Sequence, residues 1–144
     1  MPIIKQLRQH KVLLDTHIWI WIMLGESKLS QAFKNFINSE GSEIFVSPIS
    51  IWEIGMLVQK NRLEMEMDVL DWVERSLNAT KLQLFPMTPR IAIQSTRLPG
   101  EIHADPADRI LIASAHEEGA VLVTCDEKII LYGKDQFVSV HNPI

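Results

Sequence analysis

Cysteine occurs once in this chain, at Cys125. A lone cysteine excludes an intrachain disulfide framework and a thiolate metal cage, and it fits a reducing compartment. Long hydrophobic runs are also missing. The longest, Ile18 to Leu24, falls far short of the ~20 residues a bilayer span requires. Residues Met1 to Lys11 carry Lys5, Arg8 and Lys11 without an apolar core, so they do not read as a signal peptide, and a cytoplasmic location is expected by default. There is no internal repeat, low-complexity tract or Gly/Ser linker. A Gly-rich phosphate loop and a Gly-x-Ser-x-Gly elbow are absent. No His-x-x-x-His pair joins any of His10, His17, His103, His116 and His141, which argues against zinc.

What is present is one domain's worth of chain, 144 residues with 47% hydrophobic and 22% charged content, expected to form a single domain over 1–144 with 1–11 as a short N-terminal extension. The net charge of -4 argues against a general nucleic-acid coat but not against a nuclease whose carboxylates hold a cation. Short, mostly apolar runs recur between helical stretches. Lys11–Leu14, Glu43–Val46, Leu82–Phe85 and Val121–Thr124 read as strands, with Phe137–Val140 as an edge strand. Helices are expected over Thr16–Leu24, Leu29–Ser39, from Pro48 to a left-handed stop at Asn61, Val69–Leu77, Pro89–Thr96, and from Asp105 to Gly119. Strands without polar alternation, separated by helices, imply an α/β fold with a parallel sheet covered on both faces. Ligands bind such sheets beyond the carboxyl ends of the strands.

Acids stand at those ends. Asp15 closes Val12-Leu13-Leu14, and Asp126 follows Val121 to Cys125. Asp105 and Asp108 open a helix in Asp105-Pro106-Ala107-Asp108-Arg109. Glu53 sits mid-helix among Ile51, Trp52 and Ile54. Each has a plain structural role open to it. Asp15 and Asp126 can cap helices, Asp105-Pro106 with Asp108 matches helix-start chemistry, and Glu53 can lie on a solvated edge. Together they demand more. Two carboxylates ~5 Å apart at an effective dielectric of ~20 repel by about 3 kcal/mol, so a cluster survives through protonation or a bound cation. Oxygen-only ligands select Mg²⁺ or Mn²⁺, whose natural chemistry with phosphate oxygens is phosphodiester hydrolysis. Lys60, Arg62, Arg109 and Lys128 are candidate phosphate contacts, and His103 is another by proximity. His17 reads as packed or structural. Trp19, Trp21, Trp52 and Trp72 fall in helical apolar patterns, which favours core or oligomer contacts over base stacking.

Four segments in order carry a resemblance: Leu13-Leu14-Asp15-Thr16-His17-Ile18-Trp19, Val46-Ser47-Pro48-Ile49-Ser50-Ile51-Trp52-Glu53, His103-Ala104-Asp105-Pro106-Ala107-Asp108-Arg109, and Leu122-Val123-Thr124-Cys125-Asp126. The set resembles the PIN-domain ribonucleases, and most closely the VapC toxins of type II toxin–antitoxin systems. The resemblance implies a three-layer α/β/α sandwich around a parallel sheet, Mg²⁺- or Mn²⁺-dependent endonucleolytic cleavage of RNA, homodimerisation and a VapB-like antitoxin. It assigns Asp15, Glu53 and Asp108 to the acidic triad and Asp126 to a fourth, more variable acid. Asp105 matches the additional acid of a subgroup, as ligand or as cap. His17 stands where many members carry Ser or Thr, and Asn61 replaces a common glycine. A catalytically silent interaction module is the alternative. A phosphatase of another α/β family is disfavoured, since Asp15-Thr16-His17 lacks the second Asp of an Asp-x-Asp nucleophile motif.

Overall fold

The computed structural model describes residues 7–79, 81–102 and 105–144. Five short strands, β1 (Val12–Leu14), β2 (Ile44–Val46), β3 (Gln83–Leu84), β4 (Val121–Val123) and β5 (Ser139–His141), form one sheet in the order β3-β2-β1-β4-β5. Every pairing is parallel. The helices are α1 (Thr16–Leu24), α2 (Gln31–Ile37), α3 (Pro48–Gln59), α4 (Val69–Ala79), α5 (Pro89–Ser95), α6 (Pro106–Glu118) and α7 (Glu127–Gly133). Among the described residues, no helix is long and apolar enough to cross a membrane.

The three layers follow from alternation along the strands. Side chains at successive strand positions point to opposite faces. Val12 and Leu14 of β1, Ile44 and Val46 of β2, and Val121 and Val123 of β4 therefore share one face. They pack there with Ile18 and Trp19 of α1, Phe33 and Phe36 of α2, and Val73 of α4. Leu13 and Leu122, in register across β1 and β4, face the other way. They meet Ile91 of α5, Leu111 and Ala115 of α6, and Ile129 and Tyr132 of α7. Both faces are covered at the centre of the sheet, which is why β1, β2 and β4 carry no polar positions, whereas the edge strands β3 and β5 carry Gln83, Ser139 and His141. Leu7, in the expected N-terminal extension, is itself 1% exposed and joins the first face.

The chain builds outward from β1 to β2 and β3, then returns to the other side for β4 and β5. The order thus reverses between β1 and β4, and a crevice opens there beyond the strands' carboxyl ends. This crevice positions the site.

Boundaries differ from the sequence expectation for physical reasons. The second helix starts at Gln31 because Ser30 caps it, accepting from the Phe33 N–H at 3.2 Å. Asn61 does adopt a left-handed conformation, φ 57°. The last strand moves to Ser139–His141 because Phe137 is used in packing, stacked on His116 with ring centroids 3.9 Å apart. Helix α7 has no counterpart among the expected elements. Its core, Ile129-Ile130-Leu131-Tyr132, is an unbroken apolar run without a helical period, and only its cap, Asp126, is visible in the chain.

Two substitutions test this layering. Leu13→Ala, at a fully buried position of the central strand, should cost ~2–5 kcal/mol. Leu84→Ala, on an edge strand and 49% exposed, should stay within about 0.5 kcal/mol of wild type. Urea unfolding midpoints measure both, and equal losses would contradict the assigned faces.

Candidate active site

Asp15 is the first residue past β1, and its backbone N–H donates to the Val123 carbonyl at 2.9 Å, continuing the β1–β4 ladder by one step. Its backbone is extended, and its side chain caps α1 by accepting from the Thr16 N–H at 2.7 Å. The second carboxylate oxygen accepts from the Thr124 hydroxyl at 2.6 Å. Thr124 in turn accepts from the Asp126 N–H at 3.0 Å. A chain of hydrogen bonds therefore ties the ends of β1 and β4 together. Asp15 is 7% exposed, and burial pushes its pKa upward despite the two hydrogen bonds.

Glu53 reaches the same place from α3. Thr16 Oγ1 lies 2.6 Å from Glu53 Oε1 and 2.8 Å from Ser50 Oγ. With a single proton, the Thr16 hydroxyl donates to the carboxylate and accepts from Ser50. Glu53 is half-buried, so the solvated-edge alternative does not describe it. Its pKa is raised, by desolvation first and then by the charges of Asp15 and Asp105.

Asp108 lies in the first turn of α6, and its pKa is raised from 3.8 to about 7. Desolvation is the largest cause, followed by the charges of Asp105, Asp15, Asp126 and Glu53. The other four acids named from the sequence therefore all act on Asp108. Asp105 is exposed and caps α6, accepting from the Asp108 N–H at 2.9 Å. Asp126 caps α7, accepting from the N–H groups of Lys128 at 2.8 Å and Ile129 at 3.3 Å. Three helix N-termini thus bring acids to one end of the sheet, and their partial positive charges offset part of the repulsion.

The hydrogen bonds leave ligating capacity. An ionised carboxylate offers about four lone-pair sites. Asp15 uses two, and Glu53 uses one. As the side chains stand, no three His, Cys, Asp or Glu among the described residues form a ready-made metal-ligand group. The donor chemistry nonetheless fits a hard divalent cation: oxygen atoms only, held by hydroxyls and backbone N–H groups on one side.

Other expectations are corrected here. Arg109 is not a free phosphate contact, because its Nε donates to the Ser95 carbonyl at 2.9 Å and its Nη1 to the Ile102 carbonyl at 3.2 Å. It braces the loop before α6. His17 is exposed, with its ring 6.3 Å from that of Trp21, and when protonated it favours the ionised forms of Asp15 and Glu53. Trp19 is core and fully buried, but Trp52 is 59% exposed. Lys60 and Arg62 are exposed at the rim of a cleft that Glu53 and Asp105 also line. Lys128 is exposed. His103 lies outside the described residues. Thr16, Ser50 and Thr124 join the site without having been singled out by sequence reasoning; the positions beside the acids, Thr16 next to Asp15 and Thr124 two before Asp126, are the signal that could have found them.

The profile of the PIN domain family matches residues 12–134, which spans every acid above. The chain belongs to the PIN-domain family. This PIN-domain chain is 33% identical to Ribonuclease VapC22 of Mycobacterium tuberculosis over 118 residues, covering 82% of this chain and 88% of that protein. Its fold is similar to that in the crystal structure of DNA-bound VapBC from Salmonella typhimurium, with a TM-score of 0.65, 16% identity, and coverage of 94% of this chain and 99% of that one. VapBC2 from Rickettsia felis, bound to a promoter DNA fragment, gives a TM-score of 0.65 at 17% identity, covering 91% and 97%. At such identities the likeness concerns the PIN fold alone.

Two predictions arise from this geometry. Thr124→Val removes the hydroxyl that holds Asp15 and should weaken divalent-metal affinity ~10–100-fold, measured by Mn²⁺ titration; unchanged affinity would remove Thr124 from the site. The second concerns pH. Asp108 has a folded pKa above its unfolded value, so between 3.8 and about 7 the folded state binds more protons. Its contribution to stability is therefore present at low pH and lost as pH rises through about 7. Asp15 and Glu53 are shifted in the same direction. In chelator, Asp108→Asn should flatten the fall in thermal midpoint between pH 4 and pH 7 (roughly the window set by these shifts), and a slope identical to wild type would contradict the assignment.

Proposed function

We propose that this chain is a metal-dependent endoribonuclease that hydrolyses RNA phosphodiester bonds and acts as the toxin of a VapBC-type toxin–antitoxin pair. The observation that carries the proposal is the acidic set at the sheet's switch point, where Asp15, Glu53 and Asp108 are each raised in pKa by burial and by neighbouring carboxylates. The family match and the ribonuclease name of the 33% identical relative support the reaction class. The VapBC names of the fold neighbours support a VapB-like antitoxin as partner, and homodimerisation belongs to the same proposal.

Asp15 and Asp108 would hold the cation most directly, with Glu53 and Asp126 completing its shell and Asp105 beside them. Oxygen ligands of this kind suit Mg²⁺ or Mn²⁺. When bound, such an ion supplies Lewis-acid polarisation of a phosphoryl oxygen and lowers the pKa of water. The chain's own groups prepare for this. Thr124 and the Thr16 N–H fix both oxygens of Asp15, so its remaining lone pairs keep one direction. Thr16 holds Glu53 with Ser50 behind it. The Asp108 carboxyl, its pKa raised to about 7, can keep a proton near neutrality, and it would give up that proton to serve as a ligand. The α1 and α6 N-termini favour the ionised form that results. No side-chain nucleophile is required, since water attacks phosphorus.

The rival reading, a silent interaction module, draws on the lack of a ready-made ligand group as the described side chains stand. Two measurements decide. In a Mg²⁺-dependent RNA cleavage assay, Asp15→Asn and Glu53→Gln should each lose at least ~100-fold in rate, the upper end of what losing a partner behind a metal ligand costs. Cleavage by both at the wild-type rate would sink the assignment. Mn²⁺ at ~100 times its Kd should stabilise the wild-type fold by about 2.7 kcal/mol, and a silent module should show no shift.

A further inference from the structure

Trp52 precedes Glu53 on α3, yet its side chain is 59% exposed while Ile54, two residues on, is fully buried. It opens into a cleft of ≈ 490 Å³ that also holds Glu53, Asp105, Lys60 and Arg62. That volume is in the range of sites for molecules of nucleotide size. Among the described residues, the ammonium of Lys60 and the guanidinium of Arg62 make no ion pair, and neither side chain forms a hydrogen bond. The cleft is therefore continuous with two of the site's acids at one end, carries uncommitted cations, and presents an exposed indole.

We propose that Trp52 is a base-stacking platform for single-stranded RNA, with Lys60 and Arg62 taking the phosphates of the nucleotides beside the cleaved bond. The inference rests on the ribonuclease reading and adds to it how the substrate is held. Single-stranded RNA is gripped by aromatic faces under its unstacked bases and by cations along its backbone. A strand whose scissile phosphate lies at the acids must send a neighbouring nucleotide along one of the walls, and Glu53 joins the acids directly to this one. Met56 and Leu57 add apolar surface that a peptide could use. Two free cations among site carboxylates match a polyphosphate backbone better than an apolar helix face. Stacking accepts every base, so this contact sets position rather than sequence.

The test uses the full chain, in chelator so that RNA stays intact, with a mixed-sequence single-stranded RNA oligonucleotide followed by fluorescence anisotropy. Trp52→Leu should weaken binding roughly 5- to 100-fold, the range for removing one base–aromatic stack, and Trp52→Phe should retain most of the affinity. Lys60→Ala with Arg62→Ala should lower the slope of log affinity against log salt by ~0.7 for each phosphate no longer neutralised. Thermal midpoints should not move, because these side chains are exposed; the charge variants provide an independent reading if Trp52→Leu folds poorly. Cleavage with Mn²⁺ is measured in parallel. If wild type cleaves RNA and Trp52→Leu binds and cleaves equally well, stacking is overturned and the ribonuclease reading stands. If wild type binds RNA in a Trp52-dependent way but never cleaves it, the ribonuclease reading falls and stacking stands. If Trp52→Leu changes only self-association or capture of a protein partner, the cleft is a protein-docking face and the inference is wrong.

Discussion

Repulsion among carboxylates is the constraint around which the rest of this structure is arranged. Asp15, Glu53, Asp105, Asp108 and Asp126 come from separate stretches of the chain, and the fold brings them to one end of a sheet. Burial there raises the pKa of Asp15, Glu53 and Asp108, so holding them together costs stability unless something compensates. Compensation comes in two forms. Hydroxyls and backbone N–H groups bind the anions locally, as Thr124 and Thr16 bind Asp15. Helix N-termini aim their positive ends at the same crevice, from α1, α6 and α7. Under the proposed function, what these do not neutralise would be taken up by a cation.

The crevice itself is a product of topology. Because the sheet reverses direction of growth between β1 and β4, the segments leaving those two strands diverge. Asp15 and Asp126 are the acids on those segments. The 2.6 Å bond from Thr124 to Asp15 spans the gap between them. It connects fold to the proposed function at one atom pair, since the same bond that closes the sheet's end orients Asp15, a residue proposed to hold the metal. Capping and ligation are likewise not competing roles here. Asp105 and Asp126 each cap through Oδ1, which leaves the other oxygen of each uncommitted to the cap and open to the proposed ligand role.

Much of this is legible in the chain. Apolar strands without alternation imply two covered faces, and the paired clusters around Leu14 and Leu13 bear that out. Acids at strand ends imply a shared crevice. The residues that escape a reading of the sequence do so for a physical reason: Thr16, Ser50 and Thr124 act through hydroxyl geometry, and nearness to an acid in the chain marks the position without showing which way the hydroxyl is used. Arg109 misleads because charge in a motif says nothing about where a guanidinium is used, and the Ser95 and Ile102 carbonyls claim it. Trp52 misleads in the opposite sense. Its spacing fits an apolar stripe, but α3 lies across the end of the sheet, with Ile54 and Ile51 in one core cluster and Ile49 against the other. A helix in that position buries two edges and exposes a third, so helical periodicity alone does not say which side Trp52 takes.

That placement of α3 also explains why its acid and its aromatic residue differ so sharply in environment. Adjacent positions on a helix point about 100° apart. Glu53 turns toward Thr16 and the buried end of β1, while Trp52 turns toward solvent and the cleft. Turning the helix to bury Trp52 would carry Glu53 away from Thr16, and the anion would lose its hydrogen bond. Burying a large aromatic favours one orientation and placing the carboxylate favours the other. The observed orientation keeps the carboxylate, which implies that the site rather than the core sets the rotation of α3.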